Sequence, residues 1–166
     1  HGLVIVPPYG SWVFLGTILT DLPLPSASTP APDCPGCNAC IRACPSGALT
    51  EAGCDIKRCL SDLTQKKGTL TAEQEAQLQA HPLIWGCDFC QLACPYNRDA
   101  QPSPLPELTG QEAATPYLAS LSSEDLEGLT NRTFRAAFGN RAFAWRGPAV
   151  LRRNLAWKDE KKGDKL

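Results

Sequence analysis

The 166-residue chain, with 15 prolines and 13 glycines, has the size of one loop-rich domain or slightly more, too short for a large multidomain core. Nine cysteines, an odd number, argue against a fully paired disulfide framework. The net charge of −1 hides an asymmetry: residues 131–166 hold ten Lys/Arg against three Asp/Glu, and residues 1–130 hold six against fourteen. Such a basic end is suited to a polyanion, although a solvated helix face gives the same count.

Taken in order, residues 3–6 (Leu-Val-Ile-Val) form a β-branched apolar run closed by Pro7 and Pro8, the pattern of a buried strand. Residues 12–20 read as a second strand, paired with the first through the turn at 7–11. Two strands alone bury too little apolar surface to stand by themselves. Their partners are expected upstream, so the chain reads as a fragment of a longer soluble protein that begins mid-domain. Pro7, Pro8 and Gly10 interrupt the apolar stretch, and it has no basic leader, so neither a signal peptide nor a membrane helix is predicted. Residues 23–33, rich in Pro, Ser and Ala, read as an extended linker.

At Cys34 the chemistry begins. Cys34, Cys37, Cys40 and Cys44, with Pro45 behind them, follow C-x2-C-x2-C-x3-C-P, the bacterial ferredoxin spacing for a 4Fe–4S cluster. Cys87, Cys90, Cys94 and Pro95 repeat the last four of these positions at an offset of fifty. At that offset Cys34 maps onto Ile84, which cannot bind iron, so the second site needs another thiolate, and Cys59 is the best candidate. By the crossing rule of two-cluster ferredoxins, Cys34, Cys37, Cys40 and Cys94 hold the first cluster, and Cys44, Cys59, Cys87 and Cys90 the second. Cys54 is left over, as a small buried hydrophobe or a free thiol. Structural zinc needs neither the third closely spaced cysteine nor the trailing Cys-Pro. Exposed clusters and free thiols imply a reducing, cytoplasmic setting.

Between and beyond the cysteine runs the pattern is helical. Asp55 can cap a helix through about Leu63 that carries Cys59. Thr71 to Gln74 is a capping box opening a polar spacer helix that ends before His81 and Pro82. Residues 98–117 hold four prolines and read as loop. Short helices follow from Ser122, from the Thr130 cap with Phe134 and Phe138 on one face, and from Gly147 and Pro148 to about Trp157. Tyr9, Trp12 and Trp85 read as core aromatics. The fold class is therefore α+β: the edge of a larger domain over 1–22, the linker over 23–33, a ferredoxin-like module with two 4Fe–4S clusters over 34–97, and a loop and helical region over 98–166.

The contexts of these cysteines resemble one family. Gly10-Ser11-Trp12 with Phe14, Leu15 and Gly16, then Cys59 to Thr64, then Gly86-Cys87-Asp88 with Cys90, Gln91, Cys94, Pro95 and Asn97, are similar to epoxyqueuosine reductases. The likeness covers about residues 3–97, and the tail around Arg152, Arg153 and Asn154 resembles the family more weakly. It implies an oxidoreductase that uses cobalamin and two 4Fe–4S clusters to reduce epoxyqueuosine to queuosine in tRNA. It assigns the cluster cysteines as the crossing rule does.

The resemblance also implies that residues 1–22 are the last β-hairpin of a cobalamin-binding domain, with a catalytic aspartate upstream that no residue here matches. This stretch is then an electron relay with no catalytic residue of its own. Cys87 and Asp88 are implied to lie against the corrin, and Ser61 and Lys66 to touch cofactor or tRNA. The partners expected are tRNA and a low-potential electron donor, with no membrane, for a monomer. Arg132, Arg135, Arg141, Arg146, Arg152 and Arg153 are candidate phosphate contacts. A free-standing ferredoxin carrier and a reductive dehalogenase are the alternatives. The first has no use for the segment at 3–20, and the second lacks the Gly-Ser-Trp and Gly-Cys-Asp contexts.

Overall fold

A computed structural model describes residues 1–25, 34–108, 118 and 120–163. Most of the linker read at 23–33 and the part of the proline-rich loop at 109–117 lie outside the described residues.

The fold is built from short pieces around two pseudo-equivalent turns. Helix α1 is Ala39–Ala43, strands β1 Leu49–Thr50 and β2 Gly53–Cys54 form a small antiparallel hairpin, and α2 is Leu60–Leu63. Helix α3, Ala72–Ala80, opens on the expected capping box: the Thr71 hydroxyl accepts the Gln74 amide, and the Gln74 side chain accepts the Thr71 amide. Helix α4, Phe89–Leu92, sits fifty residues after α1 and packs against it. Helix α5, Asn131–Phe138, carries a Thr130/Thr133 cap, and α6, Pro148–Gly163, starts on a proline whose missing N–H costs nothing there.

Two apolar clusters hold these pieces. Leu60, Leu63, Leu70 and Leu78 bury one, with Cys87 and Trp157 against it. Leu126, Phe134, Leu151 and Leu155 bury the other, joined by Trp85, Phe138 and Phe143. Leu78 makes α3 a core element rather than the solvated spacer its polar residues predict. One inward leucine is enough to seat a nine-residue helix whose remaining side chains face water. Trp85 is a packed aromatic, as expected, whereas Trp12 is exposed.

Helix α6 fastens the C-terminal region to the cluster module by filling backbone carbonyls. Asn154 Nδ2 donates to Thr64 O and Ile84 O, both at 2.8 Å. The Arg153 guanidinium donates to Lys66 O and Leu63 O, and that of Arg152 to Leu126 O and Leu129 O. Lys158 Nζ reaches Leu78 O, Gln79 O and His81 O. The basic count that favours a phosphate-binding face thus overstates it. Arg152 and Arg153 are structural donors, each spent on carbonyls that would otherwise lose their partners.

The expected hairpin at 3–20 is not formed. Residues 6–10 make a tight turn with one isolated bridge, Val6 to Gly10, and residues 12–20 run without a ladder. Phe14 and Leu19 are each 94 % exposed and Ile18 89 %. The physical reason is the one that limits any two-strand unit: with no third layer, apolar side chains gain nothing from pairing.

Candidate iron–sulfur site

The cysteine turns are shaped by their neighbours. Asn38 caps α1 in the left-handed region (φ 55°), a conformation asparagine tolerates, and this places Cys37 and Cys40 on either side of the turn. Its amide donates to Glu51 Oε1, and Arg42 donates to Cys37 O, which ties the loop shut. Cys44 (ψ 110°) and Cys94 (ψ 127°) are both extended, because the following proline disfavours helical backbone at each. Each helix therefore ends at its last cysteine, and the sulfur turns away from its own turn.

The result is two thiol-lined cavities. Cys34, Cys37, Cys40 and Cys94 border one of about 330 Å³. Cys44, Cys54, Cys59, Cys87 and Cys90 border another of about 400 Å³. Cys94 thus faces the first-run cysteines, and Cys44 faces the second. Among the described residues no group of three His, Cys, Asp or Glu converges closely enough to hold a single metal ion. Soft thiolates that border a shared space fit a 4Fe–4S cube.

The second cavity is rich in hydrogen-bond donors. Burial works against the Cys44 thiolate, but the Leu49 amide, the Ser46 hydroxyl at 3.7 Å and the Ala48 and Ser46 amides outweigh it and hold this thiol below its ordinary value. Burial pushes Cys87 and Cys90 up, opposed by the amides of Phe89 and Gln91. Burial, then the neighbouring Cys59, also pushes Cys54 up. Cys54 is exposed at the cavity edge and is not the small buried hydrophobe that is one reading of it. Of the other residues singled out in the sequence, Ser61 and Asp88 also line this cavity. Lys66 is not among the residues bordering it, and its ammonium donates to Gln74 on α3. His81, 2 % exposed, bonds Gly86 O through Nε2 at 2.9 Å and braces the second turn without touching the cavity.

A latch joins the N-terminal segment to this turn. Asn97 Oδ1 accepts the Ser11 amide at 2.7 Å, and Asn97 Nδ2 donates to Ser11 Oγ at 2.8 Å and Gln91 O at 2.7 Å. Ser11 Oγ donates to Gln91 Oε1, and Gln91 Nε2 donates to Asp88 Oδ1 at 2.8 Å. Gly10 is required beside it. Its φ is +63°, and a Cβ there would lie 2.1 Å from Asn97 Oδ1 and 2.7 Å from Tyr96 O. In the sequence these residues stand only as motif context and are not paired, because nothing local connects position 11 with positions 91 and 97.

Comparison with known proteins agrees with this geometry. Residues 33–97 match the family described as a 4Fe-4S double cluster binding domain. The chain is 40% identical over 160 residues to an epoxyqueuosine reductase of Listeria monocytogenes, covering 92% of this chain and 39% of that protein. The structure of epoxyqueuosine reductase from Streptococcus thermophilus matches 99% of this chain and 42% of its own, with 34% identity and a TM-score of 0.74. A crystal structure of epoxyqueuosine reductase with an epoxyqueuosine-modified tRNA stem loop matches 93% of this chain and 40% of its own, with 32% identity and a TM-score of 0.75. The chain thus spans about two-fifths of the length of these relatives.

Proposed function

We infer that this chain is the iron–sulfur part of an epoxyqueuosine reductase, the electron relay that serves reduction of epoxyqueuosine to queuosine in tRNA. The observation that carries the reading is the pair of thiol-ringed cavities, each bordered by cysteines from both ferredoxin runs, in the sequence context of the family. Cys34, Cys37, Cys40 and Cys94 are proposed to hold one 4Fe–4S cluster, and Cys44, Cys59, Cys87 and Cys90 the other. When bound, such clusters pass electrons singly at low potential, here toward cobalamin.

The protein's own residues do the positioning. The Cys-Pro corners aim Cys44 and Cys94 across the module, and the packing of α1 on α4 brings the two cavities side by side. Asp88 and Ser61, at the rim of the second cavity, are the proposed cobalamin-facing groups beside Cys87. Lys66 is proposed for that side too, although its bond to Gln74 must break before it can reach a ligand. The substrate tRNA, a low-potential donor, a cytoplasmic setting and a monomeric state belong to the same reading. The catalytic acid and most of the cobalamin cleft then fall in the portion of the relatives that this chain does not span. Residues 1–22 form the near wall of that cleft, held by the Ser11–Asn97 latch.

Anaerobic reconstitution followed by iron and sulfide analysis tests the reading. About eight irons per chain are expected, falling by half in Cys59→Ala and unchanged in Cys54→Ala. Loss of half the iron in Cys54→Ala with none lost in Cys59→Ala would show the ligand set to be wrong.

A further inference from the structure

The second turn lacks the cysteine that opens the first. Cys34 begins the first run, but the equivalent position is Ile84, so iron cannot anchor the chain ahead of Cys87. Hydrogen bonds hold that stretch instead, and they come from three elements. The Gly86 amide donates to the Thr64 hydroxyl at 3.0 Å, just past the end of α2. The Gly86 carbonyl accepts from His81 Nε2 at 2.9 Å, at the end of α3. From α6, Asn154 Nδ2 donates to both Ile84 O and Thr64 O. Gly86 has φ +69°, which glycine adopts freely, so no strain opposes this clamp. Cys87, the next residue, packs against the apolar cluster of Leu60, Leu63, Leu70 and Leu78.

The directions of these bonds are forced. A backbone amide only donates and a carbonyl only accepts. The Thr64 hydroxyl gives its one proton to Ser61 O at 2.9 Å and keeps a lone pair for the Gly86 amide. His81 carries a proton on Nε2, because Gly86 O has none to give. Thr64 is 0 % exposed, so water has no access to stand in for its hydroxyl.

We propose that Thr64 is a positioning residue for the second cluster: its hydroxyl fixes the Gly86 backbone and so holds Cys87 where the run has no cysteine at position 84. This rests on the two-cluster reading above. The bond joins two motifs that the sequence shows only as separate contexts, one ending at Thr64 and one opening at Gly86. A side chain that only filled the core there would need no hydroxyl, since valine has the same shape. Groups that hydrogen-bond behind a metal ligand set its orientation, and their loss weakens metal binding by about tenfold to a hundredfold. The first cluster has no share in the clamp, because Thr64, His81, Gly86 and Asn154 are all absent from the border of the first cavity.

The test is the rate at which the anaerobically reconstituted chain loses its clusters to an excess of iron chelator. It is followed by electron paramagnetic resonance of the reduced protein, for the wild type, Thr64→Val, Thr64→Ser and Leu126→Ala. The second cluster is the signal absent from Cys59→Ala. Leu126→Ala removes apolar burial in the other cluster of side chains and gauges what lost stability does without any change at Gly86. Iron and sulfide are counted first. If the wild type does not hold two clusters, the two-cluster reading fails, and the positioning proposal with it. Given two clusters, the second should leave Thr64→Val about tenfold faster than it leaves the wild type, while the first keeps its rate. Thr64→Ser, which keeps the hydroxyl, should stay within about threefold of the wild type. Hydrogen exchange at the Gly86 amide decides the matter even where Thr64→Val fails to fold. That amide should be protected in the loaded wild type and remain so in Cys59→Ala, because the clamp and not the iron holds it. Clusters that leave Thr64→Val at wild-type rates would refute the proposal with the two-cluster reading intact. So would the same preference for the second cluster in Leu126→Ala, or a Gly86 amide whose protection vanishes with that cluster.

Discussion

Asn97→Ala should release the N-terminal segment from the cluster module, and the size of the effect follows from the bonds it removes. Asn97 makes three: it accepts the Ser11 amide and donates to Ser11 Oγ and Gln91 O. Each is worth about 0.5–1.5 kcal/mol net. Ser11 is 6 % exposed, so its amide loses its acceptor in a place with little water to replace it. Together these put the loss at about 2–4 kcal/mol of docking free energy. The change is local, so the assay is hydrogen exchange at the Ser11 amide in the cluster-loaded chain. At about 1.4 kcal/mol per factor of ten, protection should fall by roughly thirtyfold to several hundredfold. Two further variants separate the bonds from the backbone. Asn97→Asp keeps the acceptor for the Ser11 amide and loses both donated bonds, two of the three, so it should cost about two-thirds as much or more. Gly10→Ala leaves every polar group in place but drives a methyl into Asn97 Oδ1 from a positive-φ backbone, and it should match or exceed Asn97→Ala. Ser11 protection in Asn97→Ala within twofold of wild type would refute the latch.

The remaining predictions concern the basic end and the buried histidine. Reversing Arg132 and Arg135, which border an open hollow on α5, should flatten the salt dependence of tRNA affinity by about 0.7–0.9 in log–log slope for each phosphate no longer neutralised. Arg153→Ala should lower stability instead, leaving Lys66 O without its donor, and a urea midpoint set against a tRNA titration separates the two. Burial lowers the His81 pKa below its ordinary 6.5, helped by Lys158 and opposed by the bond to Gly86 O, so the neutral ring is the native form. Its contribution is intact above about pH 6.5 and is lost as pH falls from there toward the lower folded value, and unfolding midpoints of His81→Gln should flatten over that window.

Much of this was legible in the sequence because iron–sulfur ligation is a local pattern. Spacing alone names the cysteines, the prolines after Cys44 and Cys94 fix where each turn ends, and the capping boxes at Thr71 and Thr130 mark two helix starts. The errors share one cause, which is that sequence shows what a residue is and not what lies across from it. Arg152 and Arg153 count as charge until Leu126 O and Lys66 O are found in front of them. Residues 12–20 have strand composition, yet strand composition without a neighbouring strand gives exposed coil. Cys54 counts as a spare until it is found on the wall of the second cavity. The Gly-Ser-Trp and Cys-Pro-x-Asn motifs were visible, but their purpose, one latch across 86 residues of chain, was not.

That latch bears on what the chain can do alone. With iron and sulfide supplied, the 166-residue chain should hold two clusters and accept electrons, since the cysteines of both cavities lie between positions 34 and 94. It should neither bind cobalamin tightly nor convert epoxyqueuosine. A good cofactor site buries about 70–90% of its ligand in a formed cleft. Here five thiols border the cavity of about 400 Å³, which is the proposed place of a cluster. What remains for a corrin is the rim at Ser61 and exposed Asp88, and a wall whose Phe14, Leu15, Ile18 and Leu19 have nothing packed over them. Such a wall gives area on one side only, and apolar contact on one side forfeits most of the burial that would drive binding. If the catalytic acid lies outside this chain, as proposed, its absence adds a separate loss of about 10²–10⁴ in rate. The two losses are separable. Cobalamin binding followed by its visible spectrum reports the wall, and turnover of an epoxyqueuosine-bearing stem loop with a strong reductant reports the wall and the acid together. Tight cobalamin binding with no turnover would mean that the wall suffices and only the acid is absent. Turnover near the rate of a full-length relative would mean that the proton donor lies among the residues described above and has been misread as structural.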